Sequence, residues 1–141
     1  ADRAICIDWS PGRALSVLAL KPGRTLPLYA GAAGRVTLAY RPEPLEDYLL
    51  AAPFPPLTDH TLATARELRA DVEAITSRGY SVSDEDVTLG IGALGAPLIS
   101  RNGMFLGALS LAGLAEDLRV RRAELSADLL ACADELSAST D

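Results

Sequence analysis

Side chains able to do nucleophilic, acid–base or metal chemistry are scarce in this sequence. Its 141 residues include one histidine, His60, and two cysteines, Cys6 and Cys132. A Ser-His-Asp triad, a Cys-His pair or a zinc site would each need His60. That residue lies in a proline- and threonine-rich segment, where a solvated or turn-capping role is expected. The cysteines are far apart and lack metal-ligand or redox spacing, so we expect both to pack as small hydrophobic side chains.

The segment Gly31-Ala32-Ala33-Gly34 is the most informative candidate site. Its small side chains let another molecule approach the main chain closely. It also leads into a predicted helix, and the first N–H groups of a helix are unpaired and favour an anion. A small carboxylate could therefore be held by backbone amides alone. Alternatively, the two glycines only permit a tight turn, which is the simpler interpretation of their spacing.

Two polar features lie on predicted strands. Ser110 is a hydroxyl in the middle of an apolar strand, on the same face as Ala108 and Ala112. A buried hydroxyl there needs a partner, which could be a ligand or a neighbouring carbonyl. The acidic run from Asp84 to Asp86 ends another strand. Such a run usually faces solvent, although one member could reach a pocket at the strand end.

Composition limits the classes of function. The chain is 49% hydrophobic, carries a formal net charge of -6 and has the length of one domain. Its acidic balance argues against nucleic-acid binding through a basic surface. Arg119, Arg121 and Arg122 are expected to form the solvated start of a helix rather than a phosphate clamp. The uncharged run 87–100 is shorter than the roughly 18 residues that a membrane span needs.

The hydrophobic pattern predicts the order of the elements. They are strands at 4–9 and 14–20, an extended segment at 25–29, helices at 35–40, 45–51 and 61 or 62–78, strands at 80–84, 92–99 and 104–112, and a helix at about 119–137. Gly79 marks the end of the middle helix, and Asn102-Gly103 predicts a type I′ hairpin. Two separated groups of strands predict an α+β fold, with helices packed on an antiparallel sheet.

Apolar stripes predict the buried faces of two helices. They are Leu68, Val72 and Ile75 in the middle helix, and Leu125, Leu129, Cys132 and Leu136 in the last one. The charged side chains of the middle helix are expected to face water, and these are Arg66, Glu67, Arg69, Asp71 and Glu73.

Three stretches together resemble a known family. Residues 23–35 (GRTLPLYAGAAGR) are similar to the pattern G-x-x-x-P-L-[HY]-x-x-[AS]-x-G-[KR], and residues 78–86 (RGYSVSDED) to R-G-Y-x-x-[DS]-x-[EG]-E. Residues 90–98 and 108–113 are similar to a final hairpin with A-x-S-[IL]-[SA]-G. The whole chain thus resembles the C-terminal effector-binding domain of the isocitrate lyase regulator (IclR) family of bacterial transcription factors.

The resemblance implies a GAF-like fold and a role in transcription regulation. It implies one domain over residues 1–141 that binds a small metabolite acid and forms a homodimer or tetramer, in a repressor or an activator. Operator DNA would be bound only through an N-terminal winged helix-turn-helix, which this chain lacks. A cytoplasmic protein is expected, with no enzyme activity, cofactor, metal or membrane partner.

The resemblance also implies which residues bind the effector. They are an apolar wall of Leu15 and Leu18, the Gly31, Ala32, Ala33 and Gly34 loop with the amides of Ala32 and Ala33 as anion donors, the strand residues Ser83, Asp84, Ala93 and Ala112, and the Ser110 hydroxyl. At three positions the family often has another residue: an acid at Ser83, a cysteine at Ala93 and a serine at Ala112. This less polar pocket predicts a larger or more aromatic acid than glyoxylate or pyruvate.

Two other functions remain open on the sequence. An enzyme acting on a small carboxylate could use the same pocket, but its candidate groups, Ser110, Ser83 and Asp84, have no histidine placed to activate them. A purely structural dimerisation domain would have a filled pocket. Turnover of the best-binding acid would identify the first alternative. The second would show no thermal shift with any metabolite, because only a bound ligand stabilises by mass action.

Overall fold

The computed structural model describes residues 2–10, 12 and 21–139. In chain order the elements are β1 (Arg3–Ile5), β2 (Thr25–Pro27), α1 (Ala32–Tyr40), α2 (Leu45–Leu49), α3 (Ala65–Arg78), β3 (Ser81–Asp84), β4 (Ile91–Ile99), β5 (Phe105–Leu114), α4 (Ala115–Val120) and α5 (Arg122–Ala138). The strand predicted at 14–20 lies outside the described residues. The strand predicted at 4–9 is shorter than expected, and Ile7 is 88% exposed.

The described strands form two antiparallel sheets, β1-β2 and β3-β4-β5. This confirms the predicted α+β class. In the larger sheet, Ser81 pairs with Gly95, which pairs with Ser110. Because residues directly opposite each other in paired strands lie on the same face, these three share one face. The next row on that face is Ser83, Ala93 and Ala112.

Helices cover the sheet on both faces. On the face of Gly95, α1 approaches so closely that an added Cβ would lie 2.7 Å from the Ala32 carbonyl oxygen. On the opposite face, Leu94 and Ala96 of β4 pack with Leu118 of α4 and with Leu129 and Ala133 of α5. A separate core joins the segment after β2 to α1, α2 and α3, and contains Leu28, Tyr29, Ala30, Leu38, Leu49 and Leu68.

Local sequence signals explain the ends of α3. It begins at Ala65, later than predicted, because Thr64 and Glu67 form a reciprocal capping box. It ends at Gly79, which has a φ of 93° and accepts the left-handed conformation without a steric penalty. Leu68 and Ile75 are fully buried, so the predicted apolar stripe of this helix is confirmed at both.

The predicted last helix is in fact two helices. α4 and α5 are separated at Arg121, whose φ and ψ are -102° and 14°. The predicted stripe is correct at Leu129 but wrong at Cys132, which is exposed, and at Leu136, which is 44% exposed. The buried residues of α5 are Ser126, Leu129 and Ala133. The break shifts which side of α5 meets the sheet, and small side chains at Ser126 and Ala133 allow a close approach.

The hairpin between β4 and β5 exists, but its turn is not type I′. Type I′ requires positive φ at both central residues, whereas Glu85 is the one non-glycine residue with positive φ in the described chain. The amide of Gly103 donates to the Ser100 carbonyl at 2.9 Å, and Gly103 has a φ of 82°. Asn102 therefore lies inside a longer loop that closes on a left-handed glycine.

Among the described residues, no helix is both long and apolar enough to cross a membrane.

Candidate functional site

The Gly31–Gly34 segment forms the start of α1. The helix begins at Ala32, three residues earlier than predicted, so Ala32, Ala33 and Gly34 are its first turn. Gly31 is the N-cap with a φ of 85°, a conformation that favours glycine. At Gly34 an added Cβ would lie 2.9 Å from the carbonyl oxygens of Pro27 and Leu28. Backbone geometry thus accounts for both glycines.

The amides of this turn divide into two kinds. The Gly31 amide donates to Asp86 Oδ2 at 2.9 Å. The amides of Ala32, Ala33 and Gly34, by contrast, donate no hydrogen bond to any group in the described part of the chain. They lie at the positive end of the α1 dipole, where an anion is stabilised. Three adjacent donors thus lack an acceptor among the described residues, and Ala32 itself is 2% exposed.

The face of the sheet that lies next to these amides carries small side chains. The Ser81 hydroxyl donates to the Ala32 carbonyl at 2.6 Å, which holds the start of α1 over β3 and β4. Ser110 is opposite Gly95, the residue over which Ala32 sits. Ser110 is exposed, not buried as expected, and Ala112 is exposed while Ala93 is half-buried. The Ser110 hydroxyl needs no internal partner, because water reaches it. Leu15 and Leu18 lie outside the described residues.

Two other predicted site residues are engaged with protein groups. The Ser83 side chain is 5% exposed, and its hydroxyl donates to the Asp86 carboxylate. Asp84 accepts two hydrogen bonds from Arg119, at 2.7 and 2.9 Å. These bonds lower the pKa of Asp84 below its usual range, because they favour the charged carboxylate. Both side chains thus have partners within the chain.

The sequence analysis missed the most buried charged group. Arg35 and Asp86 are each 2% exposed. Arg35 contacts Asp86 at 3.3 Å and Asp71 at 2.6 Å, so the expectation that Asp71 faces water was wrong. A charged residue inside the apolar run 35–40 was the available signal, since a buried charge needs a partner. One such partner is Asp86, a member of the acidic run that was expected either to face solvent or to reach a pocket at the strand end.

Cavities in the described region border β3. One, of 180 Å³, is lined by Val82, Leu94, Leu118, Arg119 and Arg122, among others. The other, of 260 Å³, is lined by His60 and by charged residues that include Arg35, Asp71 and Arg78. Neither is lined by Ser110 or by the Gly31–Gly34 segment. His60 itself is exposed, as expected.

Known proteins resemble this chain in sequence and in fold. A family model described as "Bacterial transcriptional regulator IclR C-terminal" matches residues 1–138. The HTH-type transcriptional regulator Rv1719 of Mycobacterium tuberculosis is 33% identical over 139 residues, which are 97% of this chain and 52% of that protein. Two solved structures share the fold. The crystal structure of Thermotoga maritima IclR has a TM-score of 0.88 and 30% identity, with 96% of this chain and 56% of that one covered.

The second structure is the inducer-binding domain of the PobR transcription factor from Acinetobacter. It has a TM-score of 0.80 over 92% of this chain and 75% of that one, and its 20% identity shows the fold alone. The chain spans about half or less of the length of the curated relatives, from 30% for KdgR of Dickeya chrysanthemi to 52% for Rv1719. With nearly all of its residues matched by the family model, the chain belongs to the IclR family of bacterial transcriptional regulators and corresponds to the C-terminal region of its members.

Proposed function

We propose that this chain is the effector-binding and oligomerisation domain of an IclR-type regulator, and that its effector is a small carboxylate. Effector binding would change how an N-terminal DNA-binding domain engages operator DNA. The observation that carries the proposal is the pair of adjacent amides at Ala32 and Ala33, which have no acceptor in the described chain. They lie over the face of the sheet that presents the exposed Ser110 hydroxyl.

The arrangement suits an acid with an apolar body. Two adjacent N–H groups at a helix N-terminus can bind one carboxylate without a basic side chain. Ser110 offers one further donor or acceptor. Ala93 and Ala112 leave space on the same face and add no polar group. We therefore propose an effector larger or more aromatic than glyoxylate or pyruvate. A domain with this fold, a double mutant of the PobR inducer-binding domain, has been solved in complex with 3-hydroxybenzoic acid, which is an acid of this class.

Regulation requires that the acid distinguish two states of the assembly. A ligand shifts an equilibrium only by the difference between its affinities for the two states. We propose that these states are two arrangements of a homodimer or tetramer, which would reposition the DNA-binding domains. Sedimentation velocity with and without a saturating acid would show the shift.

Isothermal titration of the chain against glyoxylate, pyruvate, adipate, benzoate and 3-hydroxybenzoate tests the proposal. We expect an aromatic or long-chain acid to bind and its uncharged amide not to bind. Glyoxylate or pyruvate as sole binder would reject the larger-acid class. Absence of binding and of thermal shift across the panel would favour a purely structural domain, and turnover of a bound acid would favour an enzyme.

Ala33 offers a sharp pair of variants. Ala33→Glu puts a negative charge in the first turn of α1, which has no acid there at present. A first-turn acid stabilises a helix but repels a bound anion. We expect it to keep the thermal midpoint or raise it and to weaken acid binding by about tenfold or more, whereas the matched Ala33→Gln should weaken it by less than about threefold. Unchanged affinity in both variants would show that the acid does not bind at this turn.

A further inference from the structure

We propose that Asp86 and Arg35 are the positioning residues of this site. They hold the first turn of α1 so that the Gly31 amide is used by the protein, while the amides of Ala32 and Ala33 stay unbonded and can bind the effector carboxylate. This inference rests on the proposed function. It is argued from contacts between segments that are distant in sequence, and neither residue is among the predicted effector contacts.

Asp86 supplies the cap that α1 lacks. Gly31 has no side chain with which to cap the helix. The Asp86 carboxylate, from the loop between β3 and β4, accepts the Gly31 amide at 2.9 Å. The same carboxylate accepts bonds from Ser83 and from Arg35 Nε. Its backbone carbonyl accepts the Thr61 hydroxyl at 2.7 Å. Asp86 is therefore held from several directions, and its position determines which amide of the turn is satisfied.

Arg35 fixes the same turn from within the helix. Its guanidinium donates to Asp71 of α3 at 2.6 Å and to the Val82 carbonyl of β3 at 2.6 Å. It also contacts Asp86 at 3.3 Å. A planar guanidinium offers donors in a rigid fork, so these contacts restrict rotation of α1 about its own axis. The amides of Ala32 and Ala33 are thereby kept over the face of Ser110.

The structural part of the inference can be tested without any ligand. In NMR spectra of the chain, an amide bonded to a carboxylate shows a downfield proton resonance, and we expect this for Gly31 but not for Ala32 or Ala33. Asp86→Asn keeps a neutral oxygen acceptor for Gly31 and should keep part of the downfield shift. Asp86→Ala should lose it. Glu85→Gln, which removes the charge of the neighbouring acid that contacts Arg119, is the matched control and should keep it.

The acid that binds the wild-type chain in the panel above then tests positioning. We expect Asp86→Ala to weaken its binding by about tenfold or more, and Asp86→Asn and the control Glu85→Gln to stay within about threefold of wild type. Rescue by the isosteric asparagine separates positioning from the net charge of the residue. Arg35→Lys keeps the positive charge but loses the planar set of guanidinium donors. We therefore expect it to weaken binding of the acid as well.

Three results would overturn the inference: an ordinary Gly31 shift in the wild-type chain, a loss of affinity in Asp86→Asn as large as in Asp86→Ala, or an acid that shifts the Gly31 resonance as much as those of Ala32 and Ala33. If Asp86→Ala does not fold, the first and third results still decide. If no acid in the panel binds, the proposed function fails, while the Gly31 resonance still reports on the cap.

Discussion

Two arginines bind neighbouring members of one acidic run in opposite environments. Arg35 contacts Asp86, and both side chains are 3% exposed or less. Arg119 contacts Asp84 and Glu85 at 2.7 and 3.0 Å, and its side chain is 51% exposed. The exposed contacts are the shorter ones, at 2.7 and 3.0 Å against 3.3 Å for Arg35–Asp86, so a shorter distance does not mark the buried group. Burial distinguishes the two groups, because Coulomb attraction and the cost of losing a partner both grow as water is excluded.

The backbone separates the two environments within three residues. Asp84 is the last residue of β3, and Glu85 has a φ of 62°, which turns the chain out of the strand. The Thr58 hydroxyl donates to the Glu85 carbonyl at 2.6 Å and helps to hold this turn. Asp86 then lies toward α1 while Asp84 stays at the surface. Residues that look equivalent in sequence thus have different roles.

The largest effect should come from removing the buried cation. Arg35→Met leaves Asp71 and Asp86 with an uncompensated buried charge, and we expect a loss of about 3–5 kcal/mol in unfolding free energy, measured by urea denaturation. The matched Arg119→Met should leave the urea midpoint within experimental error, because exposed pairs contribute little. Similar losses in the two variants would contradict the contrast.

The same contrast between a buried and an exposed group can be tested with two serine hydroxyls. Ser83→Ala removes a donor to the buried Asp86 carboxylate and should cost about 1.5–3 kcal/mol, the range for hydrogen bonds to charged groups. Ser110→Ala, on the exposed part of the same sheet face, should change stability by less than about 0.5 kcal/mol. Thermal and urea unfolding of both variants would measure the difference. A stability loss confined to Ser110→Ala would break the comparison.

Added salt should change the stability effects of the Arg35 and Arg119 variants differently. At 1 M salt the screening length is about 3 Å, so interactions of exposed charges are largely screened. The destabilisation by Arg35→Met should therefore persist in 1 M NaCl, while any small effect of Arg119→Met should vanish. Urea midpoints at low and high salt provide the test, and a loss of the Arg35→Met effect in salt would mean that water reaches this pair.

The smallest expected effect is a pH dependence at Asp84. Hydrogen bonds from Arg119 lower its pKa in the folded chain. A lowered pKa stabilises the fold above the unfolded value of about 3.9, and this contribution is lost as the pH falls through the folded pKa. The stability difference between wild type and Asp84→Asn should therefore shrink as the pH falls from 6 to 3. A difference that grows over this range would contradict the assignment.

Local patterns predicted local structure well. The Leu68, Val72 and Ile75 stripe and Gly79 placed α3, because periodicity and a left-handed cap act within one helix. The last helix was less predictable. Its apolar residues fit several helical faces, and the break at Arg121 and contact with β4 selected one that leaves Cys132 exposed. Packing against another element is not encoded in the spacing of a single helix.

The candidate site shows the same limit. Small residues at 31–34 predicted either an anion-binding turn or a simple tight turn, and the amides of Ala32, Ala33 and Gly34 donate to no described group. The exposure of Ser110 was not predictable, because strand alternation specifies a shared face but not what covers it. Asp86 was missed as the cap of α1, since the residue that caps Gly31 lies 55 positions away in the chain.

By itself, the sequence determined the α+β class, the order of most elements, the family and the position of the turn at Gly31. These depend on periodicity, turn chemistry and short motifs, all of which act over a few residues. Only the tertiary structure decided which member of the acidic run is buried, which arginine holds it and which amides of α1 stay open. Burial and long-range pairing set the strength of a charge contact, and both arise only when distant segments pack together.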